Sequence, residues 1–145
     1  MKTRTETITK EMTIYIAEDG KEFTHEGSCK QYERDLERNR KKAEIDKMKV
    51  AGNVFPPYIV DDIEEIEDDT TTTWYRVNNE EELEKICNYY GFSIEIMEHE
   101  INNYPEMIAI SRYDYEYHRI TLSEFIEKSK SFWNKLGYDM ELKRK

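Results

Sequence analysis

The sequence predicts an α+β fold: an N-terminal β-hairpin plus long helix, then a ferredoxin-like βαββαβ antiparallel sheet with two helices on one face. Two amphipathic helical stretches alternate with short β-branched and aromatic runs between residues 72 and 142, in the order strand, helix, strand, strand, helix, strand. An internal echo supports the same order. Tyr90-Gly91-Phe92-Ser93-Ile94-Glu95-Ile96 matches Leu136-Gly137-Tyr138-Asp139-Met140-Glu141-Leu142 position by position, each a helix stopped by glycine and an aromatic opening a strand. Charge supplies the domain boundaries. Residues 1–52 carry 12 basic and 11 acidic side chains, residues 53–69 seven acidic and no basic ones, and residues 70–145 ten basic and 14 acidic. The division is therefore a hairpin and charged helix over 1–52, an acidic linker over 53–71 and the α+β domain over 72–145.

Taken in order, Ile8, Met12, Ile14 and Ile16 alternate with Thr7, Thr9, Thr13 and Tyr15, the period-2 pattern of a half-buried strand. Asp19-Gly20 supplies a tight turn, and Lys21-Glu22-Phe23-Thr24 the short return strand. A helix follows from Ser28 to Val50, its apolar face Cys29, Tyr32 and Leu36 thinning to Ala43, Ile45 and Met48. Gly52-Asn53 and Pro56-Pro57 are breakers that mark the hinge. Asp61, Asp62, Glu64, Glu65, Glu67, Asp68 and Asp69 form a connector or a partner-facing acidic arm; without a Gly among them they are not a calcium loop.

Thr72 to Val77 reads as a strand. Asn78 or Asn79 caps a helix whose Leu83, Ile86, Cys87 and Tyr90 share one face, with Gly91 as its left-handed stop. Phe92, Ile94 and Ile96 alternate as the next strand, and Met107 to Arg112 turns through Asp114-Tyr115-Glu116 into Tyr117–Ile120. Thr121-Leu122-Ser123-Glu124 is a capping box opening an apolar stripe of Leu122, Phe125, Ile126, Phe132, Trp133 and Leu136. Gly137 ends it, before a last strand at Tyr138, Met140 and Leu142.

The 145 residues suit one domain of ordinary size, and 11 Tyr argue against wholesale disorder. The formal charge is −10. Met1–Thr7 has no apolar segment behind it, so no signal peptide is expected, and no apolar run approaches the roughly 20 residues of a membrane span. Cys29 and Cys87 belong to no C-x-x-C pair and read as buried thiols of a cytoplasmic protein.

Catalytic chemistry finds little footing. His25, His99 and His118 lie in three different elements, none at metal-ligand spacing. The five glycines are isolated, so there is no phosphate loop, and no G-x-S-x-G elbow occurs. Neither a metal nor a cofactor is expected, and the chain is read as a non-enzyme. Glu95, Asp139 and Glu141 on the open sheet face would repel a nucleic-acid backbone, against Trp74 and Arg76, which would favour one. The unusual concentration is Arg112, Tyr113, Tyr115, Tyr117, His118 and Arg119. Such side chains either pack on the sheet edge with wet hydroxyls or, with Trp74 and Arg76, form a binding surface.

Tyr15-Ile16-Ala17-Glu18-Asp19-Gly20-Lys21-Glu22-Phe23, followed by Cys29-Lys30-Gln31-Tyr32-Glu33, resembles the opening of small accessory proteins of bacteriophages and prophages of low-GC Gram-positive bacteria. The resemblance covers the first quarter of the chain and carries no functional residue. It implies a phage context, in which accessory proteins of this size often bind and neutralise a host factor; with no catalytic motif present, the chain is expected to be a phage-type protein in the host cytoplasm that inhibits a host anti-phage defence factor by stoichiometric association. Alternatives are a sponge sequestering a nucleotide immune signal, an acidic DNA mimic and a small nucleotide-cleaving enzyme. The expected partner is a host protein or a small nucleotide, with no membrane and with homo-oligomerisation left open.

Overall fold

The computed structural model describes residues 1–52, 71–113 and 115–145. The seven acidic positions from Asp61 to Asp69 lie outside the described residues, as does Asp114 at the turn. The chain is α+β, with an N-terminal hairpin, a long helix and a four-stranded antiparallel sheet with helices. It divides into two compact units, Met1–Arg40 and Lys41–Lys145. Among the described residues no helix is long and apolar enough to cross a membrane.

In the first unit β1 (Tyr15–Ile16) pairs antiparallel with β2 (Glu22–Phe23), and α1 (Glu26–Asp46) begins three residues later. The turn works as its sequence dictates. Gly20 takes φ +89°, a region closed to most side chains, and Asp19 Oδ1 accepts from Lys21 N at 3.1 Å. Tyr32 on α1 stacks a tilted ring 5.2 Å from Phe23 and donates its hydroxyl to Asp19 Oδ2 at 2.8 Å. The hairpin is thereby tied to the helix, with Ala17 and Cys29 buried. The strand expected from Ile8 shrinks to Tyr15–Ile16: alternation alone does not make a strand, and the return strand offers only two residues to pair with. Ile8 and Met12 stay exposed.

The helix expected to reach Val50 stops at Asp46, and β3 (Lys49–Gly52) takes its place. Ile45 is the last apolar residue of α1 to be buried; beyond it, Lys49, Ala51 and Gly52 pair beside β4 (Thr71–Val77), with exposed Val50 at the register shift, in place of a further exposed helical turn. The sheet order is β3-β4-β5-β6, with β5 (Glu106–Tyr113) and β6 (Glu116–Thr121) forming the central and outer strands of a meander. Strands adjacent in sequence are adjacent in space, which is not the interleaved ferredoxin-like order. Phe92–Ile96 is not a strand: Ser93 sits at the N-cap of α3 (Ile94–Glu100), which buries Met97 and exposes Ile96. Helical spacing from Met97 to Ile101 competes with the alternation and wins, because both of those side chains reach the core. Tyr138–Leu142 follows Gly137 without pairing to any strand. The echo is thus half right. Gly91 and Gly137 both take positive φ, 78° and 85°, and stop a helix, but no strand follows either.

The helices also divide between the two faces of the sheet. Register and alternation place Tyr75, Val77, Ile108 and Ile110 on one face, where Leu83, Ile86 and Cys87 of α2 (Glu80–Tyr90) and Met97 of α3 complete the core. Trp74, Ala109 and Ile120 point to the other face, against Phe125 of α4 (Leu122–Lys135). Both side-chain N-caps form, at Asn79 and Thr121, while the reciprocal Glu82 bond goes to Asn78 and the Glu124 carboxylate meets Lys128. Asn79 Oδ1 accepts from Glu82 N at 2.9 Å, the Glu82 carboxylate accepts from Asn78 N at 2.8 Å, and Thr121 Oγ1 accepts from Glu124 N at 3.2 Å. Both cysteines are buried free thiols, and burial pushes the Cys87 thiol up from its ordinary range.

Candidate interaction surface

The β5–β6 hairpin carries most of the residues singled out in the sequence, and the pleat sorts them. Arg112 pairs with Tyr117 across the hairpin, Ile110 with Arg119 and Ser111 with His118. Arg112, Tyr117 and Arg119 therefore share the α2/α3 face, whereas His118 shares the α4 face with Trp74 and Arg76. They do not form one site. Arg76 pairs with Met107, five residues and roughly 17 Å of strand away from Arg112, and its Nε donates to Asn78 Oδ1 at 3.3 Å. Trp74 stands edge-on to Phe125 at 5.9 Å, as part of the packing under α4. Tyr113 occupies the last position of β5.

Arg119 is occupied within the fold. Its Nη2 donates to Glu100 Oε1 at 2.9 Å and its Nε to Oε2 at 3.3 Å, a fork on α3, while the guanidinium lies 5.0 Å over the Phe92 ring. With its side chain only 24% exposed, it fastens β6 to α3.

The part of the hairpin open to a partner is its tip. Tyr115 is 89% exposed and holds φ +62°, a left-handed conformation that is uncommon for a bulky residue. Behind it Tyr117 stands edge-on to Tyr90 at 4.9 Å; Tyr90 in turn meets Tyr89 at 4.9 Å and Tyr75 at 6.0 Å. The Tyr75 and Tyr90 hydroxyls share a 2.5 Å hydrogen bond. Tyr117 thus rests on an aromatic cluster that reaches into the core and starts from a fixed base.

Burial raises the Tyr90 hydroxyl well above 10.0, its ordinary value, and the hydrogen bond to Tyr75 adds to the shift; burial also raises Tyr75. A hydroxyl that resists ionisation in the fold but ionises normally when unfolded stabilises the protein below about pH 10 and loses that contribution as pH rises further. Urea midpoints of the wild type should therefore fall more steeply between pH 9 and 11 (roughly the range around the free-tyrosine pKa) than those of Tyr90→Phe. Parallel curves would remove the tyrosine pair as the cause.

The apolar stripe read for α4 is covered only over its first half. Leu122, Phe125 and Ile126 are half-buried, but Phe132 and Leu136 are each 56% exposed and Trp133 is 42% exposed. Periodicity shows which side of a helix is apolar; it does not show how far along the helix a neighbouring element reaches. No protein-family model matches the chain, and no curated protein or solved structure is significantly similar to it.

Proposed function

We propose that the chain is a non-enzymatic binding protein of the phage-accessory kind, which neutralises a host defence factor in the host cytoplasm by one-to-one association. The observation that carries this reading is Tyr115, fully presented at a hairpin tip in a left-handed conformation that the fold must hold in place. Strained, exposed aromatics cluster where a surface is prepared for contact, and tyrosine gives large contact area at low entropic cost. Tyr117 and Arg112 extend the tip toward a protein surface, with Arg119 acting from behind as a fastener. The formal charge of −10, with seven acidic residues between Asp61 and Asp69, steers the chain toward a basic target.

The test is affinity capture with tagged protein from a low-GC Gram-positive host lysate, with captured proteins and released small molecules both identified. One protein recovered in near-equal amount with the wild type, and lost with Tyr115→Ala/Tyr117→Ala, is the expected result. Recovery of a nucleotide with no protein would replace the reading by the nucleotide sponge.

A further inference from the structure

Helix α3 is seven residues long and makes no side-chain hydrogen bond at its N-cap, Ser93. A helix that short does not stand alone, so its position depends on what grips it. Met97 and Ile101 enter the core beside Leu83 and Cys87 of α2, and Glu100 holds Arg119 of β6. Glu98 meets a group of its own kind, the Glu80 carboxyl of α2. The period of each helix brings the two together. Glu80 lies three and seven residues before Leu83 and Cys87, in line with the buried stripe of α2, and Glu98 lies three before Ile101. The Asn79 cap fixes Glu80 as the first residue of its helix. Ionised carboxylates only accept hydrogen bonds, so such a pair bonds when one member carries a proton and repels when both are charged.

We propose that Glu80 and Glu98 form a proton-operated latch between α2 and α3, closed by one shared proton and loosened when that proton leaves. Glu100 of the same short helix holds Arg119, so the state of the latch sets how firmly β6 is fastened. The hydrogen bond to Glu80, then burial, then the Glu80 charge raise the half-buried Glu98 carboxyl above its ordinary 4.5. On α3 itself His99 opposes the shift and Glu95 adds to it. Cys87 of α2 and Tyr104, in the segment entering β5, are the other titratable groups beside the pair. The fold thus holds this proton more tightly than the unfolded chain does. Its stabilising contribution is complete below the ordinary carboxyl value and is lost as pH rises through the raised one.

Amide hydrogen exchange of the full chain, read as protection factors over Ile94–Glu100, tests the latch. At about pH 7.5, well above the carboxyl range, Glu98→Gln is expected to raise α3 protection several-fold, because its amide donates to the Glu80 carboxylate and has no proton to lose. Glu80→Gln, on the other helix, is expected to raise protection of the same α3 amides. Glu80→Gln/Glu98→Gln gains no more than one of the single variants, since one neutral member suffices. At about pH 5.5, nearer the carboxyl range, the gain shrinks, and it shrinks equally in a His99→Gln background. Unchanged α3 protection in either single variant would overturn the proposal. So would gains that add in the double variant, or a pH response that disappears with His99→Gln.

Discussion

Truncating Ile108 to alanine is expected to lower the stability of the sheet unit by about 2–5 kcal/mol. Ile108 is fully buried in β5, with Tyr75 and Thr121 as its register partners on either side, and it packs in the core that α2 and α3 close. Its removal leaves a cavity between the strands and the helices α2 and α3, where little can move in to fill it. Domains of ordinary size hold only about 5–15 kcal/mol in total, so the change consumes a large share. Urea unfolding followed by Trp74 fluorescence, with Trp74 edge-on to Phe125, reports on this unit directly. The expected signature is a lower midpoint at unchanged slope. Ile8→Ala is the contrast: the sequence pattern places Ile8 in a strand, but the side chain is exposed and unpaired, so its loss should change stability by less than about 0.5 kcal/mol. A large effect at Ile8 with a small one at Ile108 would reverse the account of where the core lies.

At the hairpin tip, stability and binding should move in opposite directions. Tyr115→Gly removes a side chain from a left-handed backbone that glycine adopts without strain, so it is expected to raise stability by up to about 1 kcal/mol. The same change removes the exposed ring and should weaken partner binding roughly 30-fold or more, the scale of a hot-spot truncation. Tyr117→Ala should weaken binding too, but at a cost in stability, because Tyr117 stands on Tyr90. Isothermal titration calorimetry with the captured partner, alongside urea unfolding, separates the two effects. Unaltered affinity for Tyr115→Gly would show that the tip is only a turn.

The features legible in the sequence were those fixed by local chemistry. Asp19-Gly20 made its turn, Asn79 and Thr121 made their caps, and Gly91 and Gly137 stopped their helices, because each needs only neighbours within four residues. What a strand pairs with was not legible. Ile8 to Ile16 and Phe92 to Ile96 both alternate, yet one lacks a partner long enough and the other contains a competing helical face through Met97. The same limit applied to the surface. Arg112 to Arg119 reads as one motif along the chain, but the pleat sends alternate side chains to opposite faces, and Glu100, far off in sequence, claims Arg119. Hydropathy shows that α4 carries an apolar stripe but not where along it the sheet runs out.

The proposed function is association without turnover. It is tested most directly by measuring the captured target's activity against increasing amounts of this protein, with both above their dissociation constant. A linear fall that reaches its floor at one equivalent, and reverses when the complex is separated, is expected. Complete loss of activity from trace amounts, growing with time and accompanied by a released product, would contradict it.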